Sequence, residues 1–154
     1  MNTISTIISK PKFASIEQPV LAIDGVPVYH WVKSQIFDQD GNDDTYSLVP
    51  AQTWLHDENE SRIAWKLLDP THEGSTVVPL LVCPDDMDLN CTVVVVEQIV
   101  DEQTVEWRRF GLCTNHINGV VTSVRWSELP QSATFNRTQF LESFLEFKRL
   151  SPDY

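Results

Sequence analysis

Two long runs of β-branched, apolar residues constrain the fold of this chain more than any other feature. They are "TVVPLLVC" (residues 76–83) and "CTVVVVEQIV" (residues 91–100). Nearly continuous apolar strands are typical of the centre of a sheet that is covered on both faces. Pro79 cannot donate a ladder hydrogen bond, so it predicts a bulge, a strand start or a locally unpaired stretch. We therefore expect the sheet to be built around these two strands.

Shorter patterns predict the elements that precede the centre of the sheet. Asp24-Gly25 separates two apolar stretches and can supply the positive φ angles of a tight hairpin turn. Pro50 can open a short helical turn that carries Trp54. The segment "RIAWKLL" (residues 62–68) is predicted to be a strand. The chain is thus expected to enter the sheet through a hairpin, a helical turn and a strand.

Two further strands are predicted after the apolar runs. "TVEWRRFG" (residues 104–111) alternates apolar and polar side chains, and "GVVTSVRW" (residues 119–126) is β-branched. Strict alternation would place Trp107 and Arg109 on one face of the sheet and Phe110 on the other. These segments are expected to complete an antiparallel series.

The clearest helix signal is "NRTQFLESFLEFKRL" (residues 136–150), in which Asn136 and Gln139 have the spacing of a capping box. Its predicted apolar stripe comprises Phe140, Leu141, Phe144 and Leu145. We expect an α+β fold, in which an antiparallel sheet of about five strands has an N-terminal hairpin and this helix packed on it. One domain is expected over residues 1–154, with residues 1–18 loosely ordered.

The charge balance limits the partners that this chain can bind. Asp and Glu number 22 against 11 Lys and Arg, which gives a formal net charge of −11. Nucleic acid and anionic membranes are also negative, so binding to either is not expected. A basic protein partner is favoured. The alternative is that the charge serves solubility alone.

Cysteine usage and hydropathy predict the compartment. No apolar run approaches the roughly 20 residues that a membrane span needs, and the first residues do not have the pattern of a secretion signal. The cysteines are three, Cys83, Cys91 and Cys113. An odd number without a signal peptide is typical of a reducing compartment, so we expect a cytoplasmic protein.

The segment "PDDMDLN" (residues 84–90) between the apolar runs allows four interpretations. A disulfide between the flanking Cys83 and Cys91 is geometrically possible but is not expected in a reducing cytoplasm. Zinc sites favour paired Cys and His at closer spacing, and a calcium loop needs a glycine, so no metal is predicted. No catalytic motif appears in the chain, so no catalytic residue and no cofactor are assigned. The remaining interpretation is a turn between two strands with an acidic tip.

Acidic residues cluster in two loops, and these are the candidate partner-binding residues. They are Asp38, Asp40, Asp43, Asp44, Asp85, Asp86 and Asp88. If the two loops share one edge of the sheet, they form a strongly negative surface that suits a basic partner. The alternatives are that these residues form a solvated rim, or that Asp85, Asp86 and Asp88 serve only the turn.

Two other classes of function remain open from the sequence. One is a small enzyme with a cavity assembled from distant residues such as His30, Arg109 and Cys113. The other is a structural or regulatory subunit. A strongly shifted pKa in a deep pocket would favour the enzyme, and a large symmetric apolar face would favour the subunit.

Four segments carry a resemblance to known proteins: "AIDGVPVYHWV", "LVPAQTWL", "VVPLLVCPDDMDLNCTVVVV" and "VEWRRFG". In this order they resemble a group of small bacterial proteins of uncharacterised function, over roughly residues 20–111. Some similar small acidic proteins act as immunity partners of polymorphic toxins. The resemblance implies a cytoplasmic binding protein that neutralises a basic partner such as a toxin domain, without catalysis. It implies no contact residue.

Overall fold

The architecture is an antiparallel six-stranded sheet beside a smaller three-stranded sheet. A computed structural model describes residues 1–10, 16–32, 48–84, 87–90, 92–128 and 131–151. In chain order its elements are β1 (Ile4–Ser9), β2 (Gln18–Ile23), β3 (Val26–Pro27), α1 (Val28–Trp31), β4 (Val49–Pro50), α2 (Ala51–Trp54), α3 (Glu58–Leu68), β5 (Gly74–Val82), β6 (Val93–Val100), β7 (Thr104–Ile117), β8 (Val120–Trp126), β9 (Ala133–Asn136) and α4 (Arg137–Leu150). The α+β class is confirmed.

The apolar runs form the centre of the large sheet, as predicted. Its strand order is β4-β5-β6-β7-β8, and β9 also pairs with β7. Along β6, Val94 and Val96 belong to one buried cluster, whereas Val93 and Val95 belong to the other. Both faces of the strand are therefore covered. The register of β5 against β6 shifts just after Pro79, so of the three alternatives at this residue the structure has the bulge.

The N-terminal hairpin is confirmed, and it carries an additional strand. Asp24 and Gly25 both have positive φ, 52° and 82°, as a two-residue hairpin turn of this hand requires. The prediction that residues 1–18 are loosely ordered is wrong for residues 4–9, because they form β1 and pair with β2 along its whole length. The Asp24 carboxylate accepts a hydrogen bond from Thr3 N at 2.8 Å, which fastens the chain start to the hairpin turn.

The predicted strand "RIAWKLL" is wrong, because residues 62–68 lie in the helix α3. Asp57 is the N-cap of this helix, and its side chain accepts a hydrogen bond from Glu60 N at 3.0 Å. Its buried residues Ser61, Ala64 and Leu68 have helical spacing. Within the seven-residue window, alternation and helical periodicity could not be told apart, and the N-cap lies before the window.

The predicted faces of β7 are wrong beyond Trp107. The pairs Gln98–Trp107 and Glu97–Arg109 leave Arg108 as an extra residue in β7. Such a bulge reverses the alternation that follows it. Phe110 therefore lies on the same side as Trp107, with their rings 6.1 Å apart edge to face, while Arg109 is exposed.

The C-terminal helix α4 is confirmed, with one change in its buried face. Asn136 caps it by accepting a hydrogen bond from Gln139 N at 3.0 Å. Phe140 and Phe144 are buried as predicted, but Leu145 is 53% exposed and Phe147 is buried instead. The helix packs on β1 and β2, and Ser143 Oγ donates to Ile4 O at 2.9 Å. In the part of the chain that is described, no helix combines the length and the apolar character needed to cross a membrane.

Candidate functional site

The candidate site lies where α3 begins, and we call it the acidic corner: Asp57, Glu60 and Asp88. Asp57 stands at the N-cap of α3 because its carboxylate can accept from a free backbone N–H of the first turn. Glu60 follows within that turn. The positive end of the helix dipole stabilises negative charge at such positions. Two of the three carboxylates are therefore placed by local helix chemistry.

The third carboxylate comes from the loop between β5 and β6. Asp88 Oδ1 accepts a hydrogen bond from Asn90 N at 2.9 Å, a turn-forming contact of the kind that aspartate favours. The predicted structural role of Asp88 is thus present. The same turn brings Asp88 close enough to Glu60 for its charge to act on it. Asp88 has both a turn role and a place in the acidic corner.

The turn between β7 and β8 closes the corner from the other side. Asn118 and Gly119 have positive φ, 51° and 89°, which suits a tight hairpin. A Cβ atom on Gly119 would lie 3.4 Å from Glu60 Cα and 3.1 Å from Ile63 Cδ1, so the turn packs directly on α3. His116, near the end of strand β7, has its Nε2 at 2.9 Å from Asn90 Oδ1. Three separate segments therefore meet at this corner.

Electrostatics distinguish Glu60 from the other carboxylates. Burial raises the pKa of the Glu60 carboxyl above its ordinary value, and the charge of Asp57 raises it further. His116 lowers it and Asp88 raises it, both to a smaller extent. Since like charges disfavour ionisation, the corner repels its own negative charge. An approaching cation would relieve that repulsion.

Two polar atoms at the corner lack hydrogen bonds. Glu60 Oε1 and His116 Nδ1 are shielded from solvent, and neither has a partner among the described residues. Buried polar atoms are almost always paired in folded proteins, so two unpaired atoms in one place are unusual. The corner therefore contains buried polar groups whose hydrogen bonds the described residues do not supply.

Of the predicted partner-binding residues, Asp88 alone is among the residues that the structure describes. Asp38, Asp40, Asp43, Asp44, Asp85 and Asp86 lie outside the described residues. Asp88 is described and half-buried. The candidate residues predicted from the sequence did not include Asp57 and Glu60. The spacing of an Asp followed by a Glu three residues later was the signal that could have located them at a helix start.

The expectation against a disulfide is wrong for Cys83, which is disulfide-bonded. The antiparallel register of β5 and β6 ends at Val82–Val93, so neighbouring positions across the hairpin lie close together. Cys91 lies outside the described residues. Cys113 is a free thiol. The bond at Cys83 weakens the argument from cysteine usage for a reducing compartment.

The residues of the alternative enzyme site have other contacts. Arg109 pairs with Glu97 at 3.1 Å, and its guanidinium lies 3.9 Å from the ring centre of Trp126. Burial raises the pKa of the Cys113 thiol, which lowers the fraction of reactive thiolate. His30 packs against the ring of Tyr29, with ring centres 4.7 Å apart. Within the described ranges, no group of three or more His, Cys, Asp or Glu side chains is arranged to hold a metal ion.

A cleft of about 780 Å³ adjoins the acidic corner. Its walls come from the start of β2, the end of α2, the β5–β6 loop and the last residue of α4. Trp54 Nε1 donates to Gln18 Oε1 across it, which ties α2 to β2. The backbone N–H of His56 donates to Met87 O at 2.8 Å. Because Asp57 follows His56 and Asp88 follows Met87, the cleft and the corner share a border.

The chain was compared with protein-family models, curated proteins and solved structures. No protein-family model, curated protein or solved structure matches the chain.

Proposed function

We propose that this chain is an acidic, immunity-type binding protein that neutralises a basic protein partner, such as a toxin domain, through the acidic corner. The observation that carries the proposal is the convergence of Asp57 and Glu60 with Asp88, which is distant in sequence. In the described ranges the salt bridges join Glu97, Glu106 and Glu146 to arginines, and none involves these three carboxylates. Asp57 is exposed, and Glu60 and Asp88 are half-buried, so the negative charge at the corner is not neutralised by an arginine or lysine among the described residues.

Asp101 is a turn-forming carboxylate whose surroundings differ from those of Glu60. Asp101 Oδ1 accepts hydrogen bonds from Gln103 N at 2.9 Å and Thr104 N at 2.8 Å. These backbone donors lower the pKa of Asp101. The surroundings of Asp101 therefore favour its ionised form. The acidic corner differs because Glu60 is disfavoured as an anion by its surroundings and gains from a cationic neighbour.

The mechanism requires no catalytic group. A net charge of −11 attracts a basic protein at long range, and charges at the contact surface mainly raise the association rate. A neutraliser that covers its partner's basic surface blocks access of that surface to other anions. In a reducing cytoplasm the Cys83 disulfide would be open. The proposal also places the protein in the cytoplasm, and it therefore requires the Cys83 thiol to be free and to react with an alkylating reagent in freshly lysed cells.

The decisive experiment measures binding and inhibition of the protein encoded by the adjacent gene. A corner variant, Asp57→Asn/Glu60→Gln/Asp88→Asn, removes three charges while keeping both turn and cap acceptors. The matched control, Glu73→Gln/Glu102→Gln/Glu142→Gln, removes three exposed charges elsewhere. Both variants have a formal charge of −8, since −11 plus three is −8.

The corner variant should associate about tenfold more slowly at low salt, with a smaller change in dissociation. The control variant should associate nearly as fast as the parent. Added salt should shrink the difference, because the Debye length falls to about 8 Å at physiological ionic strength. An adjacent-gene product that is neither bound nor inhibited, or equal slowing by both variants, contradicts the proposal.

The loops outside the described residues can be tested in the same assay. The proposal includes Asp38, Asp40, Asp43 and Asp44, together with Asp85 and Asp86, as further partner-binding residues. Their replacement by Asn should slow association beyond the effect of the corner variant. An unchanged association rate would remove these loops from the binding surface and leave the corner alone.

A further inference from the structure

The cleft beside the acidic corner has an apolar lining and an acidic border. Its apolar side chains include Ile16, Pro19, Trp54, Leu55 and Met87. Leu55 is 2% exposed and lies at the buried end of the cleft, whereas Ile16 is 69% exposed and lies at its mouth. A volume of about 780 Å³ falls within the range of cavities that hold a compact ligand or a large side chain.

Met87 is held in a backbone conformation that its residue type disfavours. Its φ is 51°, in the left-handed region where glycine or asparagine is normally found. A methionine at such a position is less favourable for the fold than glycine would be. The conformation is maintained by the bond from Met87 N to Cys83 O at 3.0 Å and the bond from His56 N to Met87 O. The side chain thus reaches the cleft at the expense of local backbone strain.

Strain of this kind concentrates at binding and catalytic sites. Methionine is flexible and polarisable, so it adapts to apolar partners of different shapes and often lines binding surfaces. The turn that aims Met87 into the cleft also places Asp88 in the acidic corner. One loop thereby presents an apolar contact and a negative charge next to each other.

Charge complementarity indicates what the cleft receives. Glu17 lies at its mouth, and Asp57 and Asp88 follow two of its lining residues in sequence. A small neutral molecule would use the apolar walls but not these carboxylates. We infer that the cleft binds an apolar or aromatic anchor side chain of a protein segment whose flanking Lys or Arg residues face Glu17 and the acidic corner. This inference rests on the proposed function and adds the site of tight contact to it.

The two parts of such an interface act on different rate constants. Charges at the rim speed association, whereas a buried anchor in a desolvated pocket slows dissociation. Aromatic and other large apolar anchors carry most of the affinity in comparable interfaces. Loss of the anchor contact should therefore raise the dissociation rate while the association rate stays as in the parent.

The test uses short synthetic peptides with Lys and Arg on both sides of a central Trp, Leu or Ala. Binding is measured by calorimetry at low salt, and by the NMR signal of the Trp54 indole N–H, which is assigned through its loss in Trp54→Phe. The Trp or Leu peptide should bind about tenfold more tightly than the Ala peptide and should shift the Trp54 signal.

Met87→Gly separates binding from folding. Because glycine tolerates the positive φ, the variant should melt at the same temperature as the parent or higher. It should also abolish the preference for the Trp or Leu peptide. Ile16→Ser is a second variant, at an exposed position where folding is unaffected, and it should weaken the same preference. Leu145→Ser removes an exposed leucine elsewhere and should change nothing.

The outcomes distinguish this inference from the proposed function. Equal, salt-sensitive binding of all three peptides supports the acidic surface and overturns the anchor. Equally tight binding of neutral N-acetyltryptophanamide overturns it in favour of a small-molecule site. A preference for the Trp peptide that survives in Met87→Gly also overturns it. If none of the peptides binds at low salt, both the proposed function and the inferred anchor site are contradicted.

Discussion

His56 donates its backbone N–H to the carbonyl oxygen of Met87 at 2.8 Å. This bond joins the segment between α2 and α3 to the loop between β5 and β6, which are separated by about thirty residues of chain. Because of it, the acidic corner and the apolar cleft are neighbouring parts of one surface. A partner that contacts one of them is expected to contact the other.

Glu60→Gln should stabilise the protein at neutral pH. The raised pKa of Glu60 means that the folded state holds this proton more tightly than the unfolded state. Stability therefore falls as the pH rises from the ordinary Glu value of 4.5 through the raised folded value. The glutamine variant cannot ionise at this position, so it does not lose stability in this way. Urea melts between acidic and neutral pH should show its advantage growing with pH and vanishing below the ordinary value.

Glu142→Gln is the control for this effect, since it removes a charge from an exposed position on α4. The pH dependence of its stability should be the same as that of the parent. A Glu60→Gln variant that is less stable than the parent at neutral pH would mean that the ionised carboxylate is stabilised by a contact that the structure does not contain.

Substitutions of Asp57 should separate its capping role from its charge. Asp57→Ala leaves Glu60 N without its acceptor and should lower the free energy of unfolding by about 0.5–2 kcal/mol. Asp57→Asn retains a good cap and should remain close to the parent in stability. Both should slow association with the basic partner. Chemical denaturation and stopped-flow binding measure the two properties, and normal association by Asp57→Ala would argue against a role for this charge.

Phe144→Ala should destabilise the protein by about 3–5 kcal/mol because it empties a core position of α4. Phe144 is 3% exposed, and its ring lies 5.9 Å from that of Trp65 in α3. Leu145→Ala, one residue along the same helix but exposed, should change stability by less than about 0.5 kcal/mol. A urea melt compares the two. A loss below about 1 kcal/mol for Phe144→Ala would show that α4 is peripheral to the core.

Gln98→Leu should destabilise the protein although it makes a fully buried position more apolar. Gln98 accepts from Trp107 Nε1 at 3.0 Å and donates to Leu68 O at 2.9 Å. Replacing Gln98 leaves the indole N–H unpaired in the core, which should lower the free energy of unfolding by about 1–3 kcal/mol. Adding Trp107→Phe removes that donor. The double variant should therefore lose less free energy of unfolding than the two single variants lose together. Simple additivity in denaturant melts would show that the bond contributes nothing.

Local signals in the sequence were sufficient for several elements. Asp24-Gly25 predicted the hairpin because two positive φ angles are required in one place. Asn136 and the following phenylalanines predicted α4 because a cap and a 3.6-residue period coincide. The missing N–H of Pro79 predicted an irregularity in the strand, and a bulge was one of its three possible forms. In each case the physical cause lies within a few residues of the feature.

Other features depended on contacts that a local pattern does not contain. Residues 62–68 fit a strand by composition, and their helix was decided by Asp57 and by packing on the sheet. The extra residue Arg108 in β7 was decided by pairing with β6, and it turned Arg109 outward. In α4 the neighbouring elements buried Phe147 and left Leu145 exposed.

The sequence by itself determined that the chain is strongly acidic and that its sheet has a two-sided apolar centre, because charge and β-branched runs are additive, local properties. It also predicted an acidic turn at Asp88. Only the tertiary structure decided that this turn meets Asp57, Glu60 and His116, and that Met87 opens into a cleft beside them. The physical reason is that these groups are brought together by strand register and helix packing between distant segments, and such long-range contacts have no signature in any short stretch of chain.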